Sequence, residues 1–197
     1  GLKKKPRIVI AGSAAEYGDV SESVGKVLEN QPLRPISNYG KIKAAQTELS
    51  NKYFKRGLDI VVGRIFNILS SDAPQNSAIG SFIYQIRNKT DPLLVGSLDS
   101  VRDYLGVEDV CGALSSLAHN GLSGEVYNIC SGVPVKMSSI LNCMLDIASE
   151  HPVILLDPSR IKKEEIMYSC GSNDKIAAHT GWRPIKAWNE VLREFSL

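Results

Sequence analysis

A tyrosine and a lysine four residues apart, Tyr39 and Lys43, have the spacing in this sequence that most suggests chemistry. Residues 39–56 contain no proline and many good helix formers, and Gly57 follows as a helix-ending residue, so the segment is predicted to be a helix. Residues i and i+4 share a helix face, which would place the ammonium near the phenol. A nearby positive charge favours the phenolate, and such a tyrosine can exchange a proton with a carbinol or carbonyl oxygen. Taken alone, the pair is better explained as a surface contact on an amphipathic helix, because Y-x-x-x-K is common by chance.

A short apolar segment upstream of this pair, residues 7–13, ends in small residues and is predicted to be a buried parallel strand. Ser13 stands at its carboxyl end, where open α/β sheets bind their ligands. A second β-branched run, residues 59–67, is predicted to be the next strand, with Asn67 at the same edge of the sheet as Ser13. Helical and strand patterns alternate along the chain, which indicates an α/β fold with a largely parallel sheet.

The overall composition narrows the possible partners. The chain has 197 residues, of which 43% are hydrophobic and 22% charged, as in an ordinary globular protein. A net charge of +2 is too small to predict nucleic-acid binding. Neither a membrane-spanning apolar run nor a signal-peptide pattern is present, so we expect a cytoplasmic protein with no membrane partner. The four cysteines and three histidines lack metal-site spacing, so no metal is expected and the cysteines are predicted to be reduced.

A hydroxyl at a strand tip followed by Y-x-x-x-K on the next helix resembles the extended short-chain dehydrogenase/reductase superfamily, the NAD-dependent epimerase/dehydratase family. The resemblance implies that Tyr39 is the catalytic acid/base and that Ser13 hydrogen-bonds the substrate oxygen. It also implies that Lys43, together with Tyr39, binds the cofactor, NADPH or NADH, through the ribose. The substrates of this branch are largely nucleotide sugars, so a nucleotide sugar is the implied partner.

Three further motifs extend the resemblance over nearly the whole chain: R-x-x-N at 64–67, V-G followed by R-D between 95 and 103, and G-W-x-P at 181–184. In this family the asparagine meets the substrate, which implies that role for Asn67. The arginine of R-D, here Arg102, commonly pairs with the nucleotide pyrophosphate, as guanidinium geometry suits. An arginine–proline pair near the nucleotide is replaced by two lysines, and a glutamate is retained. Lys162 and Glu165 are therefore the other implied substrate-binding residues.

The resemblance implies an NAD(P)-dependent oxidoreductase, and segments 95–103, 126–132 and 171–173 are most similar to reductases of the 4-keto group of GDP-4-keto-6-deoxyhexoses. A nucleotide-sugar 4-epimerase uses the same three catalytic residues and stays an alternative. Dehydratases place carboxylates one and two residues after the strand-tip hydroxyl, where this chain has Ala14 and Ala15, and Glu16 is expected to face away. A hydrolase with a serine nucleophile is disfavoured because G-x-S-x-G is absent.

The glycine fingerprint of dinucleotide-binding folds, G-x-G-x-x-G, does not occur in this sequence. The first strand resembles the one that the family places fourth or fifth, so we expect about a hundred residues of the usual N-terminal half to be absent. The expected fold is a partial Rossmann-like parallel sheet with a small C-terminal α/β substrate-binding part. Residues 1–70 are assigned to the cofactor domain, and residues 71–197 to the substrate part, interleaved with the last Rossmann strand near 124–130. A non-catalytic sugar-nucleotide-binding fragment is the alternative of another class.

An apolar stripe along the predicted Tyr39 helix bears on assembly. Its members recur at helical spacing and are Ile42, Ala45, Leu49 and Tyr53. Enzymes of the resembled family commonly dimerise through this helix in a four-helix bundle, which implies a homodimer. The alternative is that the stripe packs only on the sheet of its own chain.

Overall fold

The structure, a computed structural model, describes residues 6–161 and 166–197. The strands are β1 Ile8–Ser13, β2 Ile60–Ile65, β3 Asn67–Leu69, β4 Leu93–Val95, β5 Val101–Gly106, β6 Val126–Ile129, β7 Pro134–Lys136, β8 Ile154–Leu156 and β9 Tyr168–Ser169. The α-helices are α1 Asn38–Lys55, α2 Ala78–Arg87, α3 Val107–Asn120, α4 Met137–Ala148, α5 Asp174–Thr180 and α6 Trp188–Arg193. The predicted α/β class is confirmed, because strands and helices alternate and the central strands run parallel.

The first sheet has the strand order β1-β2-β6 and is parallel throughout. Its central strand β2 is almost wholly buried, as expected of a β-branched run covered on both faces. The register pairs Ser13 with Ile65 and Ile65 with Ile129, so the three strands end together. Helices α1 and α3 both pack against β1 and β2. This arrangement puts Ser13 at the carboxyl edge of the sheet, where open α/β sheets in general bind their ligands.

The strand predicted over residues 59–67 is in fact two strands. Strand β2 ends at Ile65, and Asn67 begins β3, which belongs to another sheet and pairs with Tyr104 of β5. The transfer occurs at Phe66, whose N–H donates the last bond to the Ile129 carbonyl at 3.0 Å. Asn67 therefore does not share a sheet edge with Ser13. An apolar run reveals a strand but not the point at which the strand changes its partner.

The second sheet has β5 at its centre, parallel to β3 and β9 and antiparallel to β7. A large hydrophobic core joins this sheet to helices α2, α4 and α6. A smaller core lies between β2, β6, α3 and α5. Helix α3 packs against β1 and β2 although it comes from the second half of the chain. The division of the chain near residue 70 accordingly stays a proposal.

The described residues contain neither a membrane span nor a metal cluster. No helix in residues 6–161 and 166–197 is long and apolar enough to cross a membrane. The same residues contain no group of three or more His, Cys, Asp or Glu side chains placed to hold a metal ion. The four cysteines are free thiols, and two of them, Cys130 and Cys170, are buried.

Candidate active site

Helix α1 begins one residue before the predicted catalytic tyrosine. The Ser37 hydroxyl caps it by accepting the Gly40 N–H at 3.1 Å. Tyr39 lies in the first turn with 56% of its surface exposed. Gly40 is buried, and a Cβ there would stand 2.4 Å from the Ala15 carbonyl oxygen, so only glycine permits this close approach. The start of α1 is thereby held against the turn that follows Ser13.

Lys43 lies one turn further along α1 and faces the same way as Tyr39. Its Nζ is 5.8 Å from the centroid of the Tyr39 ring. The same ammonium donates to the carbonyl of Ala11 at 2.9 Å and to Gln46 Oε1 at 3.2 Å. The predicted pair is therefore present on one helix face, and the bond to Ala11 ties the lysine to strand β1.

Ser13 is the last residue of β1 and is 8% exposed. Its Oγ accepts the N–H of Ala15 at 3.2 Å. That bond uses a lone pair of the oxygen, so the hydroxyl proton is available to donate to a substrate oxygen. Strand β1 and helix α1 together bring the three predicted catalytic residues to the carboxyl end of the first sheet.

Glu16 is a fully buried carboxylate next to these residues, and its position in the sequence predicted no role for it. It closes a single 3₁₀ turn of residues 14–16. Its Oε2 accepts from Arg64 Nε at 2.8 Å, which makes a buried ion pair between the strand-tip turn and β2. The arginine of the R-x-x-N motif is thus a structural partner of Glu16, and both residues are buried beneath the site.

The ion pair continues into a buried hydrogen-bond chain. The other side of the Arg64 guanidinium donates to the Tyr17 hydroxyl at 2.9 Å, and that hydroxyl donates to Asn128 Oδ1 at 2.7 Å. Burial raises the pKa of Tyr17 to about 12, against the opposing effect of Arg64. Tyr17 therefore stays protonated near neutral pH and can keep donating to Asn128. This series of hydrogen bonds connects the end of β1 to β2 and β6.

A cleft of 620 Å³ opens at the start of α1 and runs into the C-terminal part of the chain. Its lining comes from both sides of the proposed division near residue 70. It comprises residues 36–37, 75–78, 81–82, 94–97, 100, 102, 137, 159–160 and 166. Two of these are the arginines Arg102 and Arg160, and no carboxylate is among the described residues that line it. Such a lining suits an anionic ligand, because guanidinium groups bind phosphates with matched geometry.

The two arginines differ in how well the sequence identified them. Arg102, which the resemblance assigns to the nucleotide pyrophosphate, lines the cleft, and its guanidinium donates to the Val101 carbonyl at 3.0 Å. Its contact with a pyrophosphate stays a prediction. Arg160 was missed. It lines the cleft, donates to Ser81 Oγ at 2.7 Å and pairs with Asp157 at 3.2 Å. Lys162 and Glu165 lie outside the described residues.

Asn67 lies outside the cleft lining as the described residues define it. Its Nδ2 donates to the Asp103 carbonyl at 3.1 Å, next to Arg102. The Asp103 carboxylate is buried, and burial raises its pKa. It accepts backbone N–H bonds from Ser131, Gly132 and Gly171, at 2.7, 2.8 and 3.3 Å. Asn67 and Asp103 therefore fix the strand that carries Arg102, and a direct contact of Asn67 with substrate stays a prediction.

Known proteins resemble this chain in sequence and in fold. The profile of the family described as GDP-mannose 4,6 dehydratase matches residues 1–195. The GDP-6-deoxy-D-mannose reductase of Pseudomonas aeruginosa is 31% identical over 183 residues, which are 90% of this chain and 60% of that protein. The structure of RMD from Pseudomonas aeruginosa complexed with NADPH superimposes with a TM-score of 0.87 at 28% identity, over 97% of this chain and 65% of that one. The resemblance stated from the sequence is thereby confirmed.

A third similar protein is an epimerase. The UDP-glucose 4-epimerase of Thermus thermophilus, solved as a complex with NAD, has a TM-score of 0.83 and 26% identity. It matches 95% of this chain and 62% of that protein's chain. In all three comparisons the chain spans less than two thirds of the matched protein.

Proposed function

Because the chain belongs to the GDP-mannose 4,6 dehydratase family, we propose that it is the catalytic and substrate-binding part of an NAD(P)-dependent oxidoreductase acting on a nucleotide sugar. The finer proposal is reduction of the 4-keto group of a GDP-4-keto-6-deoxyhexose. One observation supports both the general and the finer proposal. Tyr39 and Lys43 share one face of α1, Lys43 is bonded to β1 two residues before Ser13, and a cleft lined by Ser37 and two arginines opens at the start of this helix.

The three residues have separate tasks in this proposal. The Ser13 hydroxyl donates a hydrogen bond to the keto oxygen, which orients and polarises the carbonyl while Ser13 keeps its proton. Tyr39 supplies the proton that the oxygen takes up on reduction. Lys43 holds the ribose hydroxyls of the cofactor and keeps a positive charge near the phenol. A bound nicotinamide supplies the hydride.

The residues present fit one end of such a cofactor. The phenol and the ammonium lie on an exposed face of α1 beside the sheet edge, where a ribose and nicotinamide can reach them. The sequence lacks the glycine fingerprint that would cradle the pyrophosphate. We therefore assign to this chain the nicotinamide end only.

The choice of substrate rests on two points. The cleft offers Arg102 and Arg160 for a diphosphate, and a relative 31% identical is a GDP-6-deoxy-D-mannose reductase. Dehydration of the sugar is disfavoured, because Ala14 and Ala15 carry no titratable group and the nearest carboxylate, Glu16, is buried in an ion pair. The site therefore favours reduction over dehydration, although the matching family is described as a dehydratase.

The function is tested by supplying GDP-4-keto-6-deoxymannose and NADPH to an assay protein. We use the name assay protein for either the complete gene product or a fusion in which the N-terminal part of the Pseudomonas aeruginosa reductase precedes this chain. Loss of NADPH absorbance together with formation of a GDP-6-deoxyhexose supports the proposal. Absence of both in a folded assay protein rejects it.

A 4-epimerase is the second candidate, favoured by the similarity to the Thermus thermophilus enzyme and by the shared requirement for the same three residues. An epimerase returns the hydride to the sugar and gives no net consumption of NADPH. Conversion of UDP-glucose to UDP-galactose by the assay protein, without cofactor turnover, would select this candidate.

The third candidate, a non-catalytic sugar-nucleotide-binding fragment, leads to a prediction for residues 1–197 alone. Without a glycine fingerprint the chain is expected to bind NADPH weakly and to show no turnover. Isothermal titration calorimetry with NADPH, and with GDP as the comparison ligand, measures this directly. Micromolar binding of NADPH to the isolated chain would contradict the assignment of only the nicotinamide end.

A second prediction concerns the arginines of the cleft. Removing Arg160 by substitution with alanine should weaken GDP binding to the assay protein by about tenfold or more, because a charge-assisted hydrogen bond contributes roughly 1.5–3 kcal/mol. The same change at Arg102 should have a similar effect. Arg87, an exposed arginine that donates to the Ser196 carbonyl, gives the matched control Arg87→Ala. Equal GDP affinities for all three variants and the parent would remove the diphosphate from the proposal.

A third prediction concerns assembly, which we propose is homodimeric through α1. Ile42, Leu49 and Tyr53 are 67%, 53% and 42% exposed, so the stripe does not pack on the sheet of its own chain. Leu49→Glu should convert the dimer of the assay protein into a monomer, as measured by light scattering. Glu48→Gln, on the neighbouring surface of the helix, should leave the dimer unchanged. A monomeric mass for the parent at high concentration would refute the dimer.

A further inference from the structure

The Glu16 carboxylate connects three elements that must be held together for catalysis. Its Oε1 accepts the backbone N–H of Ser13 at 2.9 Å. Its Oε2 accepts the Thr47 hydroxyl of α1 at 2.9 Å, in addition to Arg64 Nε of β2 at 2.8 Å. One side chain thus touches the strand-tip serine, the helix that carries Tyr39, and the central strand.

Stability alone does not account for this arrangement. Removing a carboxylate and a guanidinium from water is unfavourable, and apolar residues of similar volume often serve a fold as well as a buried ion pair does. Glu16 and Arg64 are 0% and 3% exposed, and the contacts of the Glu16 carboxylate with Ser13 and Thr47 point toward the residues that form the site. The ion pair is therefore placed to hold Ser13 and Thr47 at a fixed separation.

Helix α1 is fixed to the turn of residues 14–16 at two places. The first is Gly40, whose backbone meets the Ala15 carbonyl. The second is Thr47, which is buried on α1 eight residues after Tyr39, at a distance of about 12 Å along the axis. Contacts at two places prevent the helix from tilting or sliding relative to Ser13.

We propose that Glu16 is a positioning residue that sets the spacing between the Ser13 hydroxyl and the Tyr39 phenol. The proposal rests on the proposed function, since it assigns Glu16 to the same reaction. Glu16 does not reach the substrate in this account. It acts through the backbone of Ser13 and through Thr47, and Arg64 balances its charge.

The test removes the hydroxyl of Thr47 and leaves the ion pair intact. Thr47→Val has nearly the same shape and cannot donate to Glu16. In the assay protein it should lower kcat about tenfold or more while KM for the nucleotide sugar stays nearly constant, since small displacements of catalytic groups can cost up to about a hundredfold. Thr47→Ser keeps the hydroxyl and loses a methyl group. This variant should therefore be less stable than the parent assay protein but retain the kcat of the parent. A purely structural role of Thr47 predicts the opposite order, because the variant with the greater loss of stability would also be the less active.

The matched control is Ser50→Ala, which removes another buried hydroxyl of α1, bonded only to the Gln46 carbonyl of the same helix in the described contacts. It should leave kcat unchanged. A second readout needs no turnover. Hydrogen–deuterium exchange of peptides covering residues 10–18 and 36–44 should be faster in Thr47→Val than in Ser50→Ala.

Unchanged kcat and unchanged exchange in Thr47→Val would overturn the positioning role. If the parent protein has no reductase activity, the proposed function fails, and the exchange experiment still decides whether Glu16 couples the strand tip to the helix. Faster exchange confined to Thr47→Val supports that coupling, and equal exchange in both variants rejects it.

Discussion

Replacing Tyr39 with phenylalanine is expected to remove nearly all turnover of the assay protein while leaving nucleotide-sugar binding intact. The residue is 56% exposed and lies in the first turn of α1, so loss of its hydroxyl removes little packing. Loss of a proton donor placed at the reacting oxygen costs roughly a hundredfold or more in rate. Steady-state kinetics gives kcat, and calorimetry with GDP gives the binding affinity.

The control for this prediction lies on the same helix. Tyr53 is also exposed, its ring packs beside Arg56, and Tyr53→Phe removes a hydroxyl far from Ser13. That variant should keep full activity. Near-normal turnover of Tyr39→Phe would show that the phenol is not the acid, and a parallel loss of activity in both variants would point to a general effect on the helix.

The largest expected effect on stability follows from Arg64→Met. This change leaves the Glu16 carboxylate buried without its countercharge, and breaking a buried pair from one side costs about 3–5 kcal/mol. The free energy of unfolding, measured by urea denaturation, should fall by that amount. Arg56→Met, a change of an exposed arginine at the end of α1, should alter it by no more than about 0.5 kcal/mol.

A double variant tests whether the unpaired charge of Glu16 causes this loss of stability. Glu16→Gln combined with Arg64→Met removes both charges and keeps an acceptor for the Ser13 N–H. It should recover most of the lost stability, because neither partner is then a lone buried charge. A double variant less stable than Arg64→Met would contradict the view that the unpaired carboxylate causes the loss.

Helix α1 and the strand before it could be predicted because their signals are local. The spacing of Tyr39 and Lys43 fixes their common face once the segment is helical, and the helix found, Asn38–Lys55, begins one residue earlier than predicted. Ser13 ends an apolar run, and a parallel strand carries its functional residue at that end. These inferences require nothing from distant parts of the chain.

The features that were missed depend on contacts between distant residues. Asn67 was placed at the end of β2 because the β-branched run is continuous, but the pairing partner changes at Phe66. Arg160 reaches the cleft through a bond to Ser81, 79 positions away in sequence. Arg64 did leave a signal, because a charged residue inside an otherwise apolar strand is rarely buried without a partner. The identity of that partner could not be read from spacing.

The central claim, that Ser13, Tyr39 and Lys43 serve reduction of a nucleotide-sugar ketone, is tested most directly by following the transferred hydrogen. The assay protein is supplied with GDP-4-keto-6-deoxymannose and with NADPH deuterated at the transferable position, and the product is examined by mass spectrometry and NMR. The account predicts one deuterium at C4 of a GDP-6-deoxyhexose for each NADPH oxidised, and none from Tyr39→Phe at matched times. A product without deuterium at C4, or unchanged substrate with a folded and GDP-binding protein, would contradict it.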